Sequence, residues 1–273
     1  MRVAVVGHVE WAEFARVEHV PAPGEIVHAL ETWEEPAGGG AVAAVQLTRL
    51  AGECLFLTAL GDSELGRRAA TDLQAYAVRV EAAWRDEPQR QAFVHVDAHA
   101  ERTITVIGAR MGPSGRDELP WGELEGADAV YFTAGDADAL RAARAAQVLV
   151  ATTRAREVLT EAHVQLDVLV CSARDPDERY VPGELEPPPR LVAETNGAAG
   201  GSLVSADGTS RKWKAAPLPG PAISAYGAGD SFAGGLTFGL ARGLEPADAV
   251  ELGARCGAAC MTGRGPYDAQ LHS

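Results

Sequence analysis

The stretch AVYFTAGDADALRAARAAQVLVATTRAREVLTEAHVQLDVLVC, which spans residues 129–171, alternates short apolar runs with longer Ala- and Arg-rich segments. The apolar runs have the length of buried strands and lie at 129–133, 148–152 and 168–171. The segments between them are predicted helices at 136–146 and 154–162. Strands that alternate with helices at this spacing form a parallel sheet with helices on both faces. The stretch therefore predicts an α/β fold with a doubly wound, Rossmann-like sheet.

The same alternation continues toward both ends of the chain. Before residue 129 it predicts strands at 3–6 and 54–60 and helices at 41–50 and 65–76. Near the C-terminus it predicts two Ala- and Gly-rich helices at 228–242 and 246–262. Two segments, about 9–35 and 91–107, fall outside the pattern because they have the composition of exposed strands around polar turns. We expect these two to form a small second sheet within a single domain that spans residues 1–273.

The composition restricts the classes of function. The 273 residues include 24 Lys and Arg against 38 Asp and Glu, which gives a formal net charge of −14. This acidic balance offers no electrostatic footprint for nucleic acid or for an anionic membrane. No segment approaches the roughly 18 to 20 apolar residues of a membrane span, and no N-terminal targeting segment is visible. We therefore expect a cytoplasmic protein without nucleic-acid or membrane partners.

The cysteines and histidines suggest packing rather than a metal centre. Four cysteines are scattered through the chain, which is not a disulfide framework and fits a reducing compartment. Cys256 and Cys260 lie four residues apart on a predicted helix, where small buried residues are expected. His95 and His99 repeat that spacing on a predicted strand and its turn, which does not suit a pair of metal ligands.

The strongest local signal for a functional site is Tyr226-Gly-Ala-Gly-Asp-Ser-Phe-Ala-Gly-Gly235. Glycines just before a helix leave backbone N–H groups free at its N-terminus, and these donors and the helix dipole together form an anion site. Asp230 would lie in the first helical turn. There it either accepts a proton from a hydroxyl that attacks phosphorus, or it caps the helix. The small residues around it favour a site that a ligand approaches closely.

The segment Gly227-Ala-Gly-Asp230-Ser-Phe resembles the C-terminal signature of the PfkB, or ribokinase-like, family of sugar and nucleoside kinases. Further segments resemble other landmarks of that family and occur in the family's order along nearly the whole chain. They are Pro21-Ala-Pro-Gly24-Glu25, Ala37-Gly-Gly-Gly40, Leu60-Gly-Asp-Ser-Glu-Leu-Gly66, Thr195-Asn-Gly-Ala-Ala-Gly-Gly201 and the last helix with Gly257-Ala-Ala and Gly263-Arg-Gly265.

The resemblance implies an ATP- and Mg²⁺-dependent kinase that acts on an alcohol group, with a small β-sheet lid over the substrate. It assigns Asp230 as the general base and the amides of Gly227, Ala228 and Gly229 as the donors that stabilise charge on the transferred phosphoryl group. It also places the substrate near Gly38, Gly39 and Gly40, and implies a homodimer formed through the lid. The residues it predicts at the nucleotide are Asn196, Gly197, Gly200, Gly201 and Gly257.

Two departures from the family pattern lie on the substrate side. An Asp that grips substrate hydroxyls is expected where this chain has Ala12, and an Asn of the N-terminal signature is replaced by Val42. Alternate residues of a strand share a face, so Glu10 projects with Ala12 whereas Glu13 projects away. Glu10 is therefore our predicted substitute for the missing Asp, and the alternative is an exposed charge on a strand edge.

A third departure concerns the metal. The family's Asn-x-x-Glu motif is represented here by Ser172-Ala-Arg-Asp175, so Asp175 is the predicted carboxylate for Mg²⁺. Because the substrate contacts are altered, we also keep a second class of function, a weakly active or inactive ligand-binding or regulatory protein on the same fold. A dehydrogenase is excluded because no Gly-x-Gly-x-x-Gly follows the first strand. The sequence predicts no role for Tyr226.

Overall fold

The computed structural model describes residues 1–273 and contains thirteen strands and six helices. The strands of the first half of the chain are β1 (Val3–Val6), β2 (Glu10–Arg16), β3 (Glu31–Ala37), β4 (Cys54–Gly61), β5 (Val78–Arg85), β6 (Gln91–Val96) and β7 (Arg102–Ile107). Those of the second half are β8 (Ala129–Phe132), β9 (Val148–Thr152), β10 (Val168–Ser172), β11 (Leu191–Thr195), β12 (Gly201–Ser205) and β13 (Ser210–Trp213). The helices are α1 (Gly39–Ala51), α2 (Glu64–Ala75), α3 (Ala137–Ala143), α4 (Arg156–Ala162), α5 (Ala228–Ala241) and α6 (Pro246–Cys260).

The large sheet has nine strands in the order β13-β12-β11-β10-β9-β8-β1-β4-β5. Its strands are parallel from β11 through β5, and β12 pairs in antiparallel register with both β11 and β13. Strands β1, β4 and β8 are buried along their whole length because helices cover both faces of the sheet. This arrangement confirms the predicted doubly wound α/β fold.

A second, smaller sheet has the order β3-β2-β6-β7. Its strands β2 and β6 are parallel, whereas β2 pairs with β3 and β6 pairs with β7 in antiparallel register. The sheet draws on the two segments that fall outside the βα alternation, and β3 continues to Ala37, just before α1. Because β2 follows β1 after three residues, the small sheet starts at the carboxyl end of β1.

Several elements differ from the sequence prediction. Helix α3 ends at Ala143 instead of residue 146, because the Arg144 side chain donates hydrogen bonds to the carbonyls of Ala146 and Gln147 in the turn that follows and to that of Gln165 before β10. The predicted helix at 154–162 begins at Arg156, after a short 3₁₀ turn. Strands β5 and β11 to β13 were not predicted.

The cysteines are free and buried, as the sequence predicts. No helix is both long enough and apolar enough to cross a membrane. The carboxyl ends of β1, β8, β9 and β10 meet at one edge of the large sheet, and ligands of open α/β sheets bind in the crevice outside this edge.

Candidate active site

The N-terminus of α5 presents unpaired backbone donors to this crevice. Gly227 precedes the helix in a left-handed conformation, with φ of +79°, and no side chain caps the helix. The first bond within the helix runs from the Ser231 N–H to the Gly227 carbonyl, so the amides of Ala228, Gly229 and Asp230 have no helical acceptor. A Cβ on Gly227 would lie only 2.8 Å from the Cβ of Pro266, so the close packing also requires glycine here.

The N-terminus of α1 faces the same point. Gly38 precedes this helix with φ of +91°, and again no side chain caps it. A Cβ on Gly39 would lie 2.8 Å from Oδ1 of Asp230, and one on Gly40 would lie 2.7 Å from the carbonyl oxygen of His8. The predicted glycines therefore lie directly beside the predicted base, and two helix dipoles converge on its carboxylate.

Burial is the main cause that raises the pKa of Asp230, to about 6. The neighbouring Glu178 and Glu10 carboxylates also raise this pKa, whereas Arg154 and Arg102 lower it. A carboxylate that titrates close to neutral pH is well matched to proton transfer. Because Asp230 makes no capping hydrogen bond, the structure does not support the interpretation in which it only caps α5.

Tyr226 and Glu10 connect the loop before α5 to the small sheet. The Tyr226 hydroxyl donates to Oε1 of Glu10 at 2.9 Å and accepts the Gly38 N–H at 3.3 Å. Nε of Arg90 donates to Oε2 of Glu10 at 3.1 Å. Burial and the Glu10 carboxylate raise the pKa of Tyr226 well above its usual value, so the phenol keeps its proton and donates it. The ring of Tyr226 also packs edge-on against Phe14, at 5.1 Å between centroids.

Glu10 is buried, with 7 % of its surface exposed, so the alternative of an exposed edge charge is wrong. Ala12 is fully buried and Glu13 is exposed, as strand alternation predicts. Val42 in α1 lies against the anion loop, since a Cβ on Gly227 would meet its Cγ1 at 3.1 Å. The two apolar replacements on the substrate side are thus packing residues, and Glu10 is the polar group that remains there.

Three arginines that sequence analysis missed act electrostatically on His8, which follows β1. They are Arg90, Arg110 and Arg154, and we call them the arginine cluster. His8 is buried, and its Nδ1 atom has no hydrogen-bond partner. Burial and then the three guanidinium groups lower the pKa of His8 well below its usual value, so the imidazole is neutral. No sequence spacing indicates the cluster, because its members lie in loops that are distant in sequence.

Two carboxylates pair with Arg154, which also acts electrostatically on Asp230. Asp175 pairs with Nη2 of Arg154 at 3.2 Å, and Glu178 pairs with the same nitrogen. Burial is the main cause that raises the pKa of Glu178. No group of three or more His, Cys, Asp or Glu side chains is arranged to hold a metal ion. Mg²⁺ is often held by one or two carboxylates together with substrate phosphates, so Asp175 and Glu178 fit such a site but not a closed protein cage.

The predicted nucleotide residues divide into two groups. Asn196 and Gly197 lie on an exposed turn at the carboxyl end of β11, and a Cβ on Gly197 would lie 2.8 Å from Nη1 of Arg174. Gly200 and Gly201 instead approach the Trp213 strand so closely that any Cβ would collide with it. Gly257 lets α6 approach α5, since its Cβ would lie 2.9 Å from the Ala228 carbonyl oxygen. The last three glycines are thus explained by packing, and only Asn196 and Gly197 present a surface to a ligand.

A separate basic groove of about 380 Å³ lies between β13 and α6. Its cationic side chains are Arg211, Lys212, Lys214 and Arg255. None of the predicted site residues lines this groove, although its lining residue Trp213 packs against Gly200 and Gly201.

Comparison with known proteins agrees with this geometry. A family model described as pfkB family carbohydrate kinase matches residues 1–182 and 178–272. The chain is 28% identical over 286 residues to an ATP-dependent ribose-1-phosphate kinase from Halopiger xanaduensis, covering 94% of this chain and 91% of that protein.

Solved structures share the fold at low sequence identity. Arabidopsis thaliana ribokinase in complex with ribose and ATP superposes with a TM-score of 0.78 at 16% identity, covering 99% of this chain and 96% of that one. Adenosine kinase from Sinorhizobium meliloti superposes with a TM-score of 0.77 at 17% identity, covering 97% and 95%.

Proposed function

Because the chain belongs to the pfkB family of carbohydrate kinases and is a phosphotransferase of that family, we propose that it transfers the γ-phosphate of ATP to a hydroxyl group of a sugar or a nucleoside. The observation that carries this proposal is the position of the Asp230 carboxylate, which lies against Gly39 at the N-terminus of α1 and within the first turn of α5. A carboxylate beside free amide donors would only weaken anion binding unless it accepts a proton during the reaction.

The proposed mechanism uses Asp230 as the general base. The carboxylate accepts the proton of the attacking hydroxyl while the hydroxyl oxygen forms its bond to the γ-phosphorus of ATP. The bond between that phosphorus and the bridging oxygen breaks, and ADP leaves with the electron pair. The amides at Gly227, Ala228 and Gly229 donate to the oxygens of the transferred group, where negative charge must be stabilised. Both helix dipoles also stabilise negative charge at this position, because the N-termini of α1 and α5 point at it.

We assign the nucleotide to the exposed turn at Asn196 and Gly197, beside Arg174. The Arabidopsis ribokinase of the same fold was solved with ribose and ATP, which supports ATP as the phosphate donor. Gly200, Gly201 and Gly257 then shape the floor of the nucleotide site through backbone packing. Bound Mg²⁺ would neutralise phosphate charge. Asp175 and Glu178, which both pair with Arg154, would hold the ion.

We assign the acceptor to the opposite side of the crevice, formed by Glu10 and the Gly38–Gly40 turn. The small sheet then acts as a lid that excludes water from the reacting groups.

Strand β7 is an edge strand that exposes Ile104, Val106 and Ile107, so a homodimer through the lid is the expected assembly. Sedimentation at micromolar concentration tests that assembly. The four buried free thiols suit a reducing, cytoplasmic environment.

The proposal is tested by measuring ADP release with ATP and Mg²⁺ over a panel of sugars, nucleosides and sugar phosphates. We expect turnover with at least one acceptor, and Asp230→Asn serves as the matched inactive control. If ATP binds but no acceptor of the panel supports ADP release, the chain is instead a ligand-binding or regulatory protein on this fold.

A further inference from the structure

The arginine cluster is assembled by the ends of three structural elements. Arg90 immediately precedes β6 and Arg110 follows β7, and the pairing of Gln91 with Ile107 brings both to the same end of this hairpin. A Cβ on Gly108 would lie 3.8 Å from the Cα of Arg90, which shows how closely the two strand ends approach. Nη1 of Arg110 donates to the Arg154 carbonyl at 3.0 Å, so the hairpin end meets the edge of the large sheet.

The charges of the cluster are unequally compensated. Arg154 pairs with both Asp175 and Glu178, and Nε of Arg90 pairs with Glu10. Arg110 has no carboxylate within ion-pair distance, and its only hydrogen bond goes to a carbonyl. Burial, Arg90 and Arg154 lower the pKa of Arg110, whereas the Glu10 and Asp230 carboxylates raise it. Arg110 is exposed and forms no direct ion pair, so we call it the uncompensated arginine.

The donor capacity of the cluster is also largely unused. A guanidinium carries five N–H donors, of which Arg110 uses one and Arg90 uses its Nε–H. His8 adds a second observation, because its Nδ1 is buried at this point without a partner. Buried polar groups are nearly always hydrogen-bonded, and exceptions mark sites that a ligand or water completes. Arg90 pairs with Glu10 on the acceptor side of the crevice, the His8 ring lies against the Gly38 turn on the same side, and the Glu10 carboxylate acts electrostatically on Arg110.

We propose that the acceptor substrate carries an anionic group, a phosphate ester or a carboxylate, that Arg110 binds together with the terminal nitrogens of Arg90. This inference rests on the proposed function, and it assigns the class of acceptor. The hydroxyl that is phosphorylated faces Asp230 while the anionic group occupies the arginine cluster. The replacement of two expected hydroxyl contacts by Ala12 and Val42 agrees with this arrangement, because the anionic group supplies the binding energy that they no longer provide.

The first experiment compares matched acceptors in the ADP-release assay. The neutral acceptor D-ribose is compared with two phosphate esters, D-ribose 1-phosphate and D-ribose 5-phosphate. The neutral acceptor D-galactose is compared with the carboxylate 2-dehydro-3-deoxy-D-galactonate. We expect kcat/KM for at least one anionic acceptor to exceed that of its neutral partner by about a hundredfold, the effect of charge-assisted hydrogen bonds from two arginines. The phosphate and carboxylate arms distinguish the two forms of the anionic group. The proposal is overturned if the neutral partners are used as well as, or better than, the anionic ones.

The second experiment substitutes the uncompensated arginine. Arg110→Gln should lower the ratio of kcat/KM for the anionic acceptor over the neutral one at least tenfold, and Arg110→Lys should restore part of it. The matched control is Arg116→Gln, because Arg116 is exposed and only pairs with Asp138 at 3.7 Å. An equal loss with both acceptors, or a change confined to the KM for ATP, contradicts the assignment.

A binding measurement separates failure of this inference from failure of the proposed function. The Asp230→Asn protein is titrated calorimetrically with D-ribose 1-phosphate, 2-dehydro-3-deoxy-D-galactonate and D-ribose, without ATP. Tighter binding of an anionic ligand, lost in Asp230→Asn/Arg110→Gln, supports the anionic site even if no acceptor turns over. Turnover of a neutral sugar without any binding preference would support the kinase and overturn the anionic site.

Discussion

The two sides of the crevice are built in different ways. The anion loop at 226–230 is a continuous segment whose glycines fix its backbone, so its chemistry is encoded by five neighbouring residues. The acceptor side is assembled from the end of β1, the start of β2, the open end of the β6–β7 hairpin and the turn after β9. The anion loop carries the chemistry. This chemistry requires one fixed geometry, in which the base and the amide donors both lie close to the phosphorus atom. The second side carries specificity, which changes with single side chains on separate segments.

The largest expected effect tests the chemical side. Asp230→Asn should lower kcat by at least about a hundredfold, since general bases contribute roughly two to four orders of magnitude. The affinity for ATP should stay similar because asparagine is nearly isosteric and Asp230 makes no capping bond. The measurement is steady-state kinetics with the best acceptor and calorimetric binding of ATP. A near-normal kcat of the Asp230→Asn protein would show that Asp230 is not the general base.

The pH dependence sharpens the same assignment. The pKa of Asp230 is raised to about 6, and the base must be ionised to accept a proton. The active fraction therefore falls as pH decreases through 6, and kcat/KM at pH 5 should be about tenfold below its plateau. An acidic limb that lies near pH 4 instead would show that Asp230 is solvated in the working enzyme. The profile is measured with an acceptor whose own groups do not titrate between pH 5 and 8.

Glu10→Ala tests the acceptor side. We expect the KM for the acceptor to rise about tenfold or more, because the substitution leaves the Arg90 and Tyr226 donors without their partner. The KM for ATP should hardly change, since the nucleotide is assigned to the opposite side. Glu13→Ala is the matched control, because Glu13 is the exposed residue of β2 and projects from the face opposite to Glu10. Equal effects of the two substitutions would mean that Glu10 does not act on the acceptor.

Tyr226→Phe is expected to have the smallest effect on catalysis but a clear effect on stability. Removal of the hydroxyl leaves Oε1 of Glu10 without a donor and the Gly38 N–H without an acceptor. A buried unpaired group costs about 1–3 kcal/mol, so the free energy of unfolding should fall by an amount in that range. Urea unfolding of both proteins measures the difference. Unchanged stability would show that water replaces the hydroxyl, so that water can enter between the anion loop and Glu10.

The sequence predicted the parallel strands β1, β4, β8, β9 and β10 because buried strands are continuous apolar runs. It missed the parallel strands β5 and β11, which are only partly buried and contain charged residues. It also missed β12 and β13, since strands at an antiparallel edge with polar residues such as Ser-Arg-Lys in β13 give no such run. It predicted the base and its glycines because free amides at a helix start are a local property. It missed Arg90, Arg110 and Arg154, because an arginine in a loop looks like a solvated surface charge until the fold places it beside others.

The Tyr226 hydroxyl bridges residues that lie 216 and 188 positions away in the chain. Nearby, the Tyr267 hydroxyl donates to the Pro36 carbonyl at 2.6 Å, so the last residues also close over the first third of the chain. Contacts between such distant residues form late, because the entropy of closing a long loop must be overcome first. During biosynthesis, the crevice therefore stays incomplete until the C-terminal segment has left the ribosome, and the nascent chain gains activity only in its final folding step.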